Sequence, residues 1–183
     1  MKLLSRVGLT LLALVLVAQL PATALAVIHA VGQGEAHFAA TGTLGMSIDG
    51  ASHDLTVAND GTRVVVRARL SAFETGIGLR DRHMREYLDV THFPNAELVL
   101  ERQAIQLPAS GSATRSVRGS LSLHGQTHPV DVRYTAQRNG SDTVVNASFR
   151  VNFTNYGVEV PSYLGVTVHP DVDVTVRITV RDE

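Results

Sequence analysis

The sequence predicts an all-β fold of about eight antiparallel strands, closed as a barrel or packed as a sandwich, with one short helix near residues 79–90. Apolar and polar residues alternate in several segments, most clearly from Val172 to Val180, and a period of two is typical of a half-buried antiparallel strand. Tight-turn sequences such as Asn139-Gly140-Ser141 separate these segments. Near residue 80 the apolar residues instead follow a helical spacing among charged ones.

The predicted strands differ in how clearly they alternate. Alternation is strong at residues 64–70, 130–136 and 172–180 and weaker at 35–46, 54–58, 96–106, 114–124 and 143–152. Turn chemistry predicts reversals at Asp49-Gly50 and at residues 59–61, 108–111, 124–126 and 139–141. A closed barrel of about eight strands has no exposed edge and is just wide enough for one slender ligand. The inward positions are mostly small, so an open apolar tunnel and an interior filled by side chains both remain consistent with the sequence.

Residues 1–26 are typical of a secretory signal peptide that is cleaved after Ala26. Lys2 and Arg6 precede an apolar run at residues 7–20, and Ala24-Leu25-Ala26 is a small-residue cleavage site. An uncleaved anchor is the alternative, but the run is shorter than the ~20 residues of a spanning helix, so we expect no stable membrane insertion. Residues 27–183 have a normal length for one domain, and we expect a periplasmic or secreted protein.

Composition excludes several classes of function. The chain has no cysteine, which excludes disulfides, thiol catalysis and thiolate metal sites. Residues 27–183 contain no lysine, so a lysine nucleophile is excluded, and their net negative charge argues against nucleic-acid binding. Local signatures of hydrolases, zinc proteases and phosphate-binding loops are absent from the sequence, so we predict neither an enzyme nor a cofactor.

The charged stretch predicts a short amphipathic helix. Met84, Tyr87 and Leu88 have the spacing i, i+3 and i+4, and Leu79 lies two turns before Tyr87. Pro94 forbids continuation of the helix, which can therefore cover one end or one flank of the barrel.

Three segments carry a resemblance to known proteins, namely TGIGLRDRHMREYLDVTHFPNAELVLE at residues 75–101, GSLSLHGQTHPVDV at 119–132 and FRVNFTNYGVEVPSYLGVTVHPDVDVTVRITV at 149–180. They resemble the YceI-like family of bacterial periplasmic proteins. The resemblance implies an extended lipocalin-like antiparallel barrel at residues 27–183. It also implies that the interior binds a polyisoprenoid or isoprenoid quinone, or a fatty acid or fatty amide. The opening pattern of that family is reduced here to EAHFAATGTLGMSIDG at residues 35–50, where His37 and Phe38 are its remnant.

We predict two groups of ligand-contacting residues. The apolar group is Phe38, Leu79, Met84, Tyr87, Leu88, Phe93, Phe149, Tyr156 and Tyr163, for which ordinary core packing is the alternative. The candidates for contact with a polar head group are Arg80, Arg82, His83 and Arg85, for which a solvated helix face is the alternative.

The predicted function is that of a carrier for a long-chain hydrophobic ligand. The alternatives are a lipid-modifying enzyme that uses His83 with Arg80 or Arg82, and an envelope interaction protein whose barrel is filled. We expect no metal site, because His124 and His128, although placed to lie opposite one another across a turn, have no carboxylate beside them. The expected partners are an isoprenoid or fatty-acyl lipid and a second copy of the chain as a homodimer.

Overall fold

The computed structural model describes residues 27–163 and 165–182, and the predicted signal peptide at residues 1–26 lies outside them. No helix in the described residues is both long and apolar enough to cross a membrane. The strands are β1 Ile28–Ala30, β2 Gly34–Gly42, β3 Ser47–Asn59, β4 Arg63–Arg69, β5 Asn95–Glu101, β6 Ser112–Leu123, β7 Gln126–Asn139, β8 Asp142–Asn152, β9 Ser162–Tyr163 and β10 Val166–Asp182. Helix α1 is Gly78–Tyr87, so the predicted helix near residues 79–90 is confirmed.

Strand β10 closes the sheet into a barrel because it pairs with β2 along one edge and with β8 along the other. The order β10-β2-β3-β4-β5-β6-β7-β8 returns to β10, and every pairing in this circuit is antiparallel. The predicted eight-stranded antiparallel barrel is therefore confirmed. β1 and the two-residue β9 pair with β10 outside this circuit.

The barrel has two chemically different ends, which the antiparallel order defines. The connections β2–β3, β4–β5, β6–β7 and β8–β10 lie at one end, here called the helix end because α1 belongs to the β4–β5 connection. The connections β3–β4, β5–β6 and β7–β8 lie at the other, here called the closed end. Each strand therefore has inward side chains near the helix end and others near the closed end.

One predicted reversal is wrong. Asp49 pairs with Ala39 and Gly50 with Phe38 inside a continuous β3, and the chain reverses instead through a short 3₁₀ turn at Thr43–Gly45. Gly50 serves close packing here, because the ring of its partner Phe38 occupies the space that a Cβ atom would take. The Asp-Gly pair thus has a turn-like sequence but a packing role.

The closed end holds the hydrophobic core. Val117, Val132, Tyr134 and Leu100 are buried together there, and Val132 is only 2% exposed. A second buried cluster adjoins the first and comprises Ile28, Val64, Ile178 and Val180. Both clusters contact Ile105 and Leu107 of the β5–β6 connection, which therefore seals this end.

Polar bonds secure the β5–β6 connection over the closed end. The hydroxyl of Tyr134 accepts a hydrogen bond from the Gln106 backbone N–H at 3.0 Å and donates one to its carbonyl oxygen at 3.2 Å. The guanidinium of buried Arg102 donates to the Ile105 carbonyl at 3.2 Å. These bonds satisfy the partly buried polar groups of the connection.

Gly119 provides a test of how tightly the strands pack. A Cβ atom at Gly119 would lie 2.5 Å from a methyl group of Leu100 and 2.9 Å from the Val99 carbonyl oxygen. We expect Gly119→Ala to lower the free energy of unfolding by about 1–3 kcal/mol, measured by urea denaturation. Gly78→Ala is the matched control, because a Cβ there meets nothing within 4 Å and helix propensity favours Ala by up to about 1 kcal/mol. Equal stability of the two variants would contradict the packing described.

Candidate functional site

An apolar cavity of about 1090 Å³ opens inside the barrel at the helix end. Its wall contains inward residues from the strands, with Ala36 and Ala40 of β2, Leu55 of β3, Val66 of β4, Leu98 of β5, Leu121 of β6, Val151 of β8 and Val174 of β10 among them. This volume is at the top of the ~300–1,000 Å³ range that is usual for small-molecule sites. The cavity therefore has room for a large ligand.

The cavity exists because the inward residues near the helix end are small. Ala36, Ala40, Ala68 and Ala96 occupy positions in its wall, and valines occupy most of the neighbouring positions on β10. Nearer the closed end the corresponding positions on the strands carry larger residues such as Leu100, Tyr134 and Ile178, which pack against one another. The interior is thus filled over one half of its length and open over the other.

Helix α1 covers the open half with its apolar face. Leu79, Met84, Tyr87 and, just after the helix, Leu88 all line the cavity. The segment that leads into the helix also lines the cavity through Phe73 and Ile77. The helix and its approach form a wall that the strands alone do not complete.

Asp81 joins the helix to the segment that precedes it. Its carboxylate is buried and accepts hydrogen bonds from the Thr75 hydroxyl at 2.6 Å and the Thr75 backbone N–H at 2.8 Å. The bond from the hydroxyl is the main cause of a pKa lowered below the usual value for Asp81, and it acts against the effect of burial. The nearby charges of Arg85 and Arg80 lower the pKa of Asp81 further. The charged carboxylate is therefore the form that holds the segment in place.

Backbone bonds attach the same segment to the barrel. Glu74 and Ala51 of β3 exchange two hydrogen bonds, each 3.0 Å long. The Leu70 N–H donates to the Pro94 carbonyl at 2.9 Å, which brings the two ends of the β4–β5 connection together. Helix α1 is consequently positioned by its own connection and by β3.

The four head-group candidates separate into two pairs. Arg80 and His83 line the cavity, whereas Arg82, which pairs with Glu86 at 3.9 Å, lies outside its wall, and the Arg85 guanidinium donates to the Ser71 carbonyl at 3.1 Å. Three acidic residues also line the cavity, namely Glu86, Asp89 and Glu159. The polar part of the wall therefore carries both signs of charge.

The predicted aromatic residues also occupy different places. Phe38 and Phe149 line the cavity, and the ring of Phe38 lies 5.8 Å from that of Phe73. Phe93 and Tyr156 lie outside the cavity wall, where Phe93 packs against His124 and Tyr156 packs against His128. The side chain of Tyr163 lies outside the described part of the structure.

The histidines of the β6–β7 hairpin have structural contacts. His124 and Gly125 form its two-residue turn with positive φ at both positions, and His128 pairs with Leu121, so the two histidines do not face one another across the turn. His124 packs against Phe93 at 4.9 Å, and His128 packs edge-on against Tyr156 at 5.0 Å. Within residues 27–163 and 165–182, no three His, Asp or Glu side chains group closely enough to hold a metal ion.

Sequence reasoning missed several residues of the cavity wall. Phe73, Ile77, Val158 and Pro161 line it from irregular segments that have neither strand nor helix periodicity. The sequence marks these residues only as apolar side chains within connections. The strand order must be known before those connections can be assigned to the helix end.

Comparison with known proteins places this architecture in a family. The family model of the YceI-like domain matches residues 27–180. The chain belongs to the YceI-like family. Among curated relatives, a UPF0312 protein of Pseudomonas syringae pv. tomato is 26% identical over 124 residues, which cover 63% of this chain and 62% of that protein. A UPF0312 protein of Pseudomonas fluorescens is 27% identical over 119 residues, with coverage of 61% and 60%. The chain therefore matches less than two thirds of the length of these relatives.

Solved structures of YceI-like and similar proteins share the fold at low sequence identity. A polyisoprenoid binding domain from Saccharophagus degradans, implicated in plant cell wall breakdown, has a TM-score of 0.71 at 16% identity and covers 87% of this chain and 99% of its own. BcnA of Burkholderia cenocepacia has a TM-score of 0.65 at 14% identity, with coverage of 80% and 95%. At these identities the likeness concerns the barrel itself.

The Asp81–Thr75 contact of this YceI-like domain predicts a pH-dependent contribution to stability. Because the folded-state pKa of Asp81 is lowered, its contribution is present above the unfolded-state pKa of about 3.9 and is lost as the pH falls through the folded-state pKa. We expect Asp81→Asn to lower the free energy of unfolding by about 1–3 kcal/mol at neutral pH. The difference from the unmodified protein should vanish in strong acid.

Urea unfolding over a series of pH values measures this difference. Glu74→Gln removes an exposed carboxylate from the same segment and should change stability by less than about 0.5 kcal/mol at any pH. A loss for Asp81→Asn that stays constant from neutral to strongly acidic pH would contradict the assignment to the charged form.

Proposed function

We propose that this protein binds and carries one long-chain hydrophobic ligand, a polyisoprenoid or isoprenoid quinone, inside the barrel. The observation that carries the proposal is the apolar cavity of about 1090 Å³, open at the helix end and closed by a packed core at the other. A blind apolar cavity holds the tail of an amphipathic molecule and leaves its head at the opening. The polyisoprenoid binding domain of Saccharophagus degradans, which shares the fold, supports this choice of ligand class.

Burial of the chain supplies the affinity. Each CH₂ group that leaves water contributes about 0.8 kcal/mol, and the wall of aliphatic side chains offers no polar group that an apolar ligand would leave unsatisfied along most of its length. Loss of freedom on binding offsets much of this gain, so a long chain is needed for firm retention. A fatty acid or fatty amide is the shorter alternative ligand.

The charges in the wall favour a neutral polar head group. The wall contains the basic residues Arg80 and His83 and three acidic residues, Glu86, Asp89 and Glu159. A diphosphate would therefore meet more carboxylates than cations. A quinone ring or an alcohol instead accepts or donates hydrogen bonds without a net charge to balance. This is why we name an isoprenoid quinone as the ligand of choice, with Arg80 and His83 as the residues beside its head.

The place of action that we propose is the bacterial periplasm or the cell exterior. The signal-like sequence at residues 1–26 and the absence of cysteine support export, and membership of the YceI-like family accords with it. In that compartment a carrier would shield an isoprenoid chain from water between membranes or enzymes.

Met84 provides the direct test of the cavity as the binding site. We expect Met84→Arg to weaken binding of an isoprenoid quinone about a hundredfold or more, because the new side chain brings a charge into the apolar space and fills part of it. The measurement is retention of radiolabelled quinone by the delipidated protein on gel filtration. Leu88→Arg, also in the wall, should have the same effect and guards against a folding defect in one variant.

Arg82→Met is the matched control for these variants. This variant replaces Arg by Met, the reverse of Met84→Arg, at an exposed position of the same helix that lies outside the cavity wall. It should bind quinone as the unmodified protein does. Folded Met84→Arg and Leu88→Arg proteins that retain full binding would contradict the proposed site.

His83 distinguishes a carrier from a lipid-modifying enzyme, because it lies in the cavity wall beside the proposed head group. We expect bound quinone to be recovered chemically unchanged after long incubation, and His83→Ala to retain the ligand within about threefold, since the apolar chain supplies most of the affinity. Mass spectrometry of the extracted lipid makes the measurement. A product that forms with the unmodified protein and disappears with His83→Ala would establish the enzyme instead.

A further inference from the structure

We propose that the rim of the cavity docks on a lipid bilayer, so that the ligand passes between membrane and barrel without crossing water. Five large apolar side chains are exposed among the described residues, and all five lie at the helix end. They are Leu44, Met46, Ile77, Leu79 and Val160, here called the rim residues. At the closed end, the exposed turn residues are instead polar or small, as at residues 60–62 and 109–111.

Leu44 is the most informative of the rim residues. It is fully exposed, at 102% of its reference area, and sits at the tip of the β2–β3 turn with φ at 62°. Glycine and asparagine adopt this left-handed conformation far more readily than leucine, and either would be better hydrated there. Two local preferences are thus broken at one position, which is typical of a residue retained for contact with something outside the protein.

The rim is continuous with the cavity. Met46, Ile77 and Leu79 are exposed to solvent and also line the cavity, so an apolar surface extends without interruption from the outside to the interior. The isoprenoid ligand proposed above is insoluble in water and partitions into a bilayer. Contact of the rim with the bilayer would remove the aqueous gap that otherwise makes transfer slow.

The charges around the rim indicate which kind of membrane surface it would bind. The basic residues Arg80, Arg82 and Arg85 are accompanied by acidic residues, which include Glu74, Glu86, Asp89 and Glu159. Such a mixture gives no strong attraction to an anionic membrane, so insertion of the apolar side chains must supply the affinity. Docking should therefore occur on zwitterionic phosphatidylcholine vesicles and should persist at high ionic strength.

This inference rests on the proposed function, but it can be tested without any ligand. The chain contains no tryptophan, so a single introduced indole reports its own surroundings. Leu44→Trp places this reporter at the rim, and Ser110→Trp places it at an exposed position of the β5–β6 connection at the closed end. The experiment records fluorescence emission of both full-length variants, freed of ligand, with and without phosphatidylcholine vesicles.

We expect the emission of Leu44→Trp to shift to shorter wavelength on addition of vesicles at low and at high salt, while that of Ser110→Trp stays unchanged. An unshifted Leu44→Trp overturns the proposal. Shifts in both variants, or in Ser110→Trp alone, also overturn it, because contact with the vesicles would then not be confined to the helix end. A shift of Leu44→Trp with protein concentration alone, without vesicles, would assign the rim to a second copy of the chain.

Leu44→Ser separates docking from ligand binding, because Leu44 is not part of the cavity wall. We expect it to reduce co-sedimentation with vesicles about tenfold and to leave retention of added quinone unchanged. Undiminished co-sedimentation contradicts the docking surface and leaves the carrier function intact. Unchanged quinone retention by folded Met84→Arg would contradict the proposed binding site and leave the docking surface untouched, so the two failures are distinguishable.

Discussion

The structure depends on the double pairing of β10. This strand of Val166–Asp182 is hydrogen-bonded to β2 on one side and to β8 on the other, and without it the sheet would be open with two exposed edges. Closure also creates an interior that opens to water at the helix end and no longer from the side. The alternating valines of β10 therefore contribute both to the core and to the cavity wall.

Within the closed barrel, the sizes of the inward side chains determine which part of the interior is packed and which part is a cavity. Bulky residues such as Tyr134 and Leu100 pack near the closed end, and alanines such as Ala36 and Ala68 line the half near helix α1. A protein interior normally packs without large voids, so the empty half weakens the barrel relative to a filled one. In the proposed function, burial of the bound molecule replaces the contacts that the missing side chains would make.

Local periodicity was sufficient to predict the strands and the helix, because each alternating segment faces the core on one side and water on the other. It failed at Asp49-Gly50, where the glycine makes room for Phe38, a partner twelve positions earlier that only the register of β2 and β3 brings opposite it. The same limit applies to the site. The spacing of the helix residues predicted an apolar helix face, and that face lines the cavity, whereas Phe93 and Tyr156 pack against His124 and His128 through contacts between distant segments.

We expect one long hydrophobic molecule to occupy the open half of each barrel. Native mass spectrometry of the protein purified from its own cells, followed by extraction and identification of whatever it carries, tests this most directly. We expect one isoprenoid species per chain, with a quinone as the favoured candidate. A protein that is bare and also takes up neither isoprenoid quinones nor fatty amides supplied in excess would contradict it.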